Sequence, residues 1–332
     1  MTIRGIFNAL TKHEFCYKVS KKVFRYFEQR RTPSQSFASN YIFDDRQNGS
    51  KNLLIVLLGF QPYYWEVVLD RVRRNVDQFS EPIDVCLCVP CGTNGDQGGV
   101  IRKFARRHEF SYLFIHLDLL AQAQNTAIKL HPNAKWIFKI DEDIILSDNY
   151  FARMKSAYEK ADKELPYKVG FLGPLINLNA VCTPYFLKAL NLETAYEKEF
   201  GKYRVENVET FMTADIHANE ETARFIWKNS IPFDEVAAKV ANSSDIIIMA
   251  PIRFSIGAIL CTREYWERIG YFDLSPIGSG AAEEVQMNIF CQMQMLSIAI
   301  ATNILVGHLG FFPQKEACRK FFEENIDKIK HL

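Results

Sequence analysis

The stretch KWIFKIDEDIIL, Lys135–Leu146, runs apolar, turns acidic for three residues and turns apolar again. Its first half has the length and composition of a buried strand. A buried strand that ends in Asp141, Glu142 and Asp143 fixes carboxylates at the rim of a sheet, with apolar flanks on both sides. Upstream, strand-like and helix-like segments alternate at short intervals. NLLIVLLGF reads as a strand, YYWEVVLDRVRRNVDQF as a helix, IDVCLCVP as a strand and GVIRKFARRHEF as a helix; SYLFIHLD and LLAQAQNTAIKLH repeat the pair. That alternation predicts a largely parallel sheet with helices on both faces. Ligands of such sheets bind outside the carboxyl ends of the strands, and the acids stand at one of those ends.

Downstream the pattern loosens. VGFLGPLINL and FSIGAILCT read as strands and REYWERIG as a helix. GSGAAEEVQMNIFCQMQM is a glycine-rich loop running into a helix, and SIAIATNILVGHLGFF is a late strand with its exit loop. Residues 185–242 are charged and mostly helical, an insertion or a lid. At the other end, residues 1–31 carry Lys or Arg at 4, 12, 18, 21, 22, 25, 30 and 31 against Glu14 and Glu28. Apolar residues recur there at helical spacing. Two readings stand: a helix packed on the body of the protein, or one lying on an anionic membrane surface. TPSQSFASN then reads as a linker.

Composition narrows the class. The chain has 332 residues, 48% of them apolar, enough for a sizeable core. Forty Lys and Arg against 39 Asp and Glu leave a formal charge of +1, which argues against a general nucleic-acid binder. No run approaches the ~20 apolar residues that span a bilayer, and charges interrupt the N-terminus where a signal peptide would be apolar. Eight scattered cysteines fit a reducing compartment. The expectation is a cytoplasmic protein, with residues 1–31 as a peripheral contact to the inner face of the membrane. Cys86, Cys88 and Cys91 read as alternate residues of a strand rather than a zinc site, which needs a further pair of ligands.

Three acidic or basic elements are candidates for chemistry. Asp141 and Asp143, one residue apart at a strand end, make a hard oxygen site suited to Mg2+ or Mn2+ beside phosphate oxygens; the bland alternative is a pair of solvated loop acids. Glu283 and Glu284 follow the glycines of SPIGSG at a helix start, where the helix dipole alone would favour them. His308, in VGHLGFF, follows a strand and is bracketed by glycines, a position open to metal ligation.

The order of these elements resembles family 2 glycosyltransferases of the GT-A fold. The matching stretches are LIVLLGFQPYY, QAQNTAI around Asn125, FKIDED, and REYWERIGYFDLSPIGSGAAEEVQMN, over residues from about 53 to 312. The resemblance implies a GT-A-like α/β fold: a single mixed, mostly parallel sheet flanked by helices, with an N-terminal basic helix and a helical insertion. It divides the chain into 1–50, basic helix and linker; 51–170, the nucleotide-sugar-binding half; and 171–332, the acceptor half, with the insertion at about 185–242. It implies a metal-dependent transfer of sugar from a nucleotide-diphosphate sugar, a UDP-sugar foremost, to a glycan or lipid-linked acceptor in surface polysaccharide or glycoconjugate synthesis. Asp143 would hold Mn2+ or Mg2+ with His308 and Asp141 in its shell, and Asp141 would also touch the ribose or sugar. Phe60, Gln61 and Asn125 would line the nucleotide pocket. Glu284, with Glu283 as the alternative, would be the base of an inverting displacement.

Departures from the family pattern are specific. VPCGTN lacks the acid that many members use for the nucleotide base, Gln124 stands where the family has Arg, and Glu283-Glu284 replaces Glu-Asp. Other readings remain open: a nucleotidyltransferase of similar fold, a phosphotransferase of the haloacid dehalogenase type, and a non-catalytic nucleotide-sugar-binding module.

Overall fold

A computed structural model describes residues 36–90, 99–116, 120–205, 214–243, 246–251, 253–274, 282–310 and 314–330. The expected N-terminal basic helix, Cys91 and the SPIGSG glycines lie outside the described residues. The strands are β1 (Tyr41–Asp44), β2 (Asn52–Leu57), β3 (Asp84–Pro90), β4 (Ser111–Ile115), β5 (Trp136–Asp141), β6 (Ile144–Leu146), β7 (Val169–Ile176), β8 (Ile247–Met249), β9 (Ala258–Thr262) and β10 (Ser297–His308). They form one sheet in the order β1-β4-β3-β2-β5-β9-β7-β10-β6, with β8 also paired to β10. β2, β3, β4, β5, β7 and β10 run one way, and β1, β6, β8 and β9 run against them. This is the mixed, mostly parallel architecture expected. β2 and β3 are buried along their whole lengths, which is why their sequences read as unbroken apolar runs instead of alternating ones.

The helices in chain order are α1 (Trp65–Gln78), α2 (Val100–Arg107), α3 (Leu120–Leu130), α4 (Tyr150–Glu164), α5 (Thr183–Ala189), α6 (Glu193–Phe200), α7 (Asp215–Ala218), α8 (Glu220–Lys228), α9 (Phe233–Ser243), α10 (Arg263–Arg268), α11 (Ala282–Met293), α12 (Lys315–Glu324) and α13 (Ile326–Ile329). The connections through α1 and α2 step one way along the sheet and the connection through α3 steps back the other way, so the right-handed rule for such crossovers sets α1 and α2 on one face and α3 on the other. Short antiparallel strands escaped the sequence reading. β1 falls in the supposed linker, and β8 is three residues long.

Register brings distant residues level. Leu57 at the end of β2 pairs with Asp141 at the end of β5. β9 enters antiparallel, so the Asp141 N–H donates to the Gly257 carbonyl at 2.9 Å. β10 shifts register between Ala301 and Leu305. A bulge bends its strand, and beyond it Val306–His308 pair with β6, His308 opposite Ile144. The Leu309 N–H then donates to the Asp143 carbonyl at 3.1 Å.

Two aromatic side chains of the helical region anchor it to the sheet. Trp227 and Phe233 are fully buried, and the Trp227 indole donates to the His308 carbonyl at 2.9 Å. The sheet accepts the indole because Gly307 has no side chain: a Cβ there would lie 2.6 Å from the Trp227 ring.

Candidate active site

The three acids at the end of β5 have three different surroundings. Glu142, the middle one, is structural. It is buried, and its carboxylate accepts the Gly59 and Phe60 N–H groups and the Trp65 indole N–H, each at 2.7 Å. Burial raises its carboxyl, and these hydrogen bonds pull it back towards the ionised form. Glu142 therefore clamps the loop between β2 and α1 beneath the other two acids.

Asp143 points into the sheet's rim. The Gln61 amide donates to Oδ2 at 2.9 Å, and His308 Nε2 lies 3.6 Å from the same oxygen. Burial works against its charge, yet His308 and Gln61 hold the carboxyl below the ordinary aspartate value. On His308 burial also opposes charge, but Asp143, Asp141 and a hydrogen bond to the Leu178 backbone raise its pKa. Asp143 Oδ1 is buried and has no hydrogen-bond partner among the described residues. A buried carboxylate oxygen left unsatisfied is costly, and a hard divalent cation is the partner it fits.

Asp141 does not join that pair. Lys139, two residues earlier and buried within β5, places Nζ 2.7 Å from Asp141 Oδ1 and donates to the Ile256 carbonyl at 2.7 Å. Among the described residues no three His, Cys, Asp or Glu side chains converge as a metal cluster. Of the expected ligand set Asp143, His308 and Asp141, the first two lie side by side and Asp141 is paired with Lys139. Two protein ligands fit a magnesium-type site, which takes one or two carboxylates and completes its shell with water and substrate phosphates.

The glutamate pair at the start of α11 is divided in the same way. Glu284 accepts Arg253 Nε at 2.8 Å and Nη2 on the same oxygen, and its other oxygen accepts the Ile256 N–H at 3.4 Å. One turn on, Asn288 accepts the Phe254 N–H at 2.8 Å and donates to the Phe254 carbonyl at 3.0 Å. Together they brace the loop before β9. Glu283 is equally buried, and its Oε1 accepts from Gln124 at 3.3 Å. Burial pushes its carboxyl up to about 7, with Lys139 lowering and Asp141 and Glu284 raising it. Glu284 is thus engaged by the Arg253 guanidinium, whereas Glu283 is held by the Gln124 amide.

Asn125 is a brace. Its amide nitrogen donates to the carbonyls of Ser36, at 3.0 Å, and Phe272, at 2.9 Å. Its oxygen accepts the Trp266 indole and the Phe272 N–H, both at 2.9 Å. Both amide hydrogens and the oxygen are engaged by these four bonds. Phe60 is half-buried on the clamped loop, and the Gln61 amide faces Asp143.

Lys139, Tyr63 and Arg253 were not singled out in the sequence. Only Lys139 carried a signal, a lysine in the middle of the buried run WIFKID. A cavity of about 930 Å³ lies elsewhere, between α1 and α2, lined by Trp65, Leu69, Arg73, Phe104 and Phe110, and it touches none of the five acids. Cys86 and Cys88 are buried on β3 with their sulfurs 3.7 Å apart. Among the described residues no helix is long and apolar enough to cross a membrane.

No family model matches the chain, and no curated protein matches it. Among solved structures, a mannosyltransferase from Pyrobaculum calidifontis in complex with GDP-Man and Mn2+ aligns over 92% of this chain and 68% of its own, at 14% identity and a TM-score of 0.43. GalNAc-T7 with UDP, GalNAc and Mn2+ aligns over 83% of this chain at 10% identity and a TM-score of 0.49, and this chain spans 48% of its length.

Proposed function

We propose that the chain is a metal-dependent glycosyltransferase that moves a sugar from a nucleotide-diphosphate sugar, a UDP-sugar foremost, to an acceptor hydroxyl. The observation that carries this reading is the unsatisfied Oδ1 of Asp143, whose Oδ2 faces His308 at the strand ends, on the same rim as a buried glutamate whose carboxyl is pushed up to about 7.

Asp143 and His308 would hold the divalent ion, Mn2+ or Mg2+. When bound, that ion neutralises charge on the departing diphosphate as a Lewis acid. Asp141 has one oxygen committed to Lys139 and offers the other to a ribose or sugar hydroxyl. Phe60 lines the nucleotide side of the cleft. Glu283 takes the proton of the acceptor hydroxyl as that oxygen bonds to the anomeric carbon and the bond to the diphosphate breaks, a single displacement that inverts the centre. A base with a pKa of about 7 balances availability against proton affinity near neutral pH. The acceptor class, a glycan or lipid-linked hydroxyl in surface polysaccharide or glycoconjugate synthesis at the cytoplasmic face of the membrane, rests on the sequence resemblance and on the basic segment 1–31.

The test is turnover of a panel of UDP- and GDP-sugars with and without Mn2+. Release of nucleoside diphosphate that requires the metal and is lost in Asp143→Ala is the expected result. Release of pyrophosphate would mean nucleotidyl transfer, and donor binding without turnover under any acceptor would mean a binding module; either overturns the proposal.

A further inference from the structure

We propose that Tyr63 and Gln61 form a directional hydrogen-bond relay that aims Asp143 at its divalent cation. The inference rests on the metal reading above and assigns positioning roles to two side chains of the loop after β2. Gln61 Nε2 donates to Asp143 Oδ2 at 2.9 Å, and the Tyr63 hydroxyl donates to Gln61 Oε1 at 3.0 Å.

The chemistry of the three groups permits one polarity. An ionised carboxylate only accepts hydrogen bonds, so the amide nitrogen must face Asp143. The amide oxygen is then turned to Tyr63, and the phenol must donate. Flipping the amide would set oxygen against oxygen at one end and leave the phenol to accept at the other. Burial pushes the Tyr63 hydroxyl up to about 12, so it keeps its proton through the neutral range. The relay engages Asp143 Oδ2 and leaves Oδ1, which has no hydrogen-bond partner among the described residues, as the oxygen presented to a cation. Carboxylates that bind metals are themselves held by hydrogen bonds, and loss of such a bond weakens binding about 10–100-fold.

The backbone beneath the relay is fixed. Glu142 accepts the N–H groups of Gly59 and Phe60 and the Trp65 indole, so both ends of the loop are tied to the residue that precedes Asp143. The Tyr64 N–H donates to the Gln61 carbonyl at 3.1 Å. The Tyr63 ring is held edge to face against Tyr64, with centroids 4.4 Å apart, and the Arg319 guanidinium lies 5.5 Å from its centroid.

Mn2+ titration of the full chain, followed by the loss of the free-ion electron paramagnetic resonance signal and with no donor present, tests the relay. Asp143→Ala sets the reference and should abolish the site. Gln61→Ala should weaken Mn2+ binding by about 10–100-fold and Tyr63→Phe, which removes one oxygen, by about tenfold. Because Tyr63 acts through Gln61, Tyr63→Phe should add nothing in the Gln61→Ala background. If Asp143→Ala binds Mn2+ like wild type, the metal reading fails and takes the relay with it. If Asp143→Ala loses Mn2+ while Tyr63→Phe and Gln61→Ala keep wild-type affinity, the metal reading survives and the relay is overturned. A Tyr63→Phe effect of equal size in both backgrounds also overturns it.

Discussion

Adjacent glutamates on the first turn of α11 illustrate how little residue type says about role. Glu284 is neutralised by Arg253 and holds a loop, whereas Glu283 is buried beside an amide. Glu283→Gln should lower kcat by roughly 10²–10⁴ with donor affinity retained, and Glu284→Gln should cost stability more than turnover. Wild-type kcat should fall as pH drops below about 7, the raised Glu283 value. The stability consequence has a definite sign. A carboxyl whose folded pKa is raised from 4.5 to about 7 binds its proton more tightly when folded. Its favourable contribution is present below about 4.5 and lost as pH rises to about 7, about 3 kcal/mol in all. Glu283→Gln should therefore gain on wild type across that window in urea melts run from pH 4 to pH 8. A pH-independent difference between the two proteins would show that Glu283 is not buried in its charged form.

At the scale of elements, the site is assembled by strand ends that have to arrive level with one another. The bulge in β10 delivers His308 to the turn after β5, and the helical region locks it there through the Trp227 indole. Gly307 is the hinge of that packing, because a methyl group would sit 2.6 Å from the Trp227 ring and 3.2 Å from the Phe233 ring. Gly307→Ala should destabilise the fold by about 1–3 kcal/mol in a denaturant titration and should weaken Mn2+ binding as well, since the next residue is His308. Unchanged stability would mean that the rings repack freely and that the region is less tightly joined to β10 than the contacts imply.

Across the whole molecule, one buried arginine ties together segments far apart in the chain. Arg71 of α1 donates from Nη1 to the Leu146 carbonyl at 2.9 Å and from Nε to the Ile329 carbonyl at 3.2 Å, and pairs with Asp234 of α9 at 2.8 Å. It is almost fully buried while Asp234 is about a third exposed. Arg71→Met strands two carbonyls and a carboxylate, so about 3–5 kcal/mol should be lost. Asp234→Asn, on the solvated side, should cost about 1 kcal/mol or less. Unfolding free energies in the opposite order would place the stabilisation in the ion pair instead of in the carbonyl contacts.

The sequence by itself determined the alternation of strand and helix from residue 52 onward, a largely parallel sheet, and the presence of acids at a strand end. These follow from periodicity and composition within a few residues, which the chain carries locally. Short edge strands such as β1 and β8 did not show, because three or four residues hold too little pattern. Only the tertiary structure decided what surrounds each acid. Gln61 and Asp143 are 82 residues apart, and Gln124 and Glu283 are 159 apart. Asn125 is used up by backbone groups at positions 36 and 272 and by the Trp266 indole, and Asp141 is taken by a lysine whose other bond goes to residue 256. A carboxylate's proton affinity and its freedom to bind a ligand are set by burial and by the partner that reaches it. Both are properties of the closed fold, absent from any local stretch of the chain.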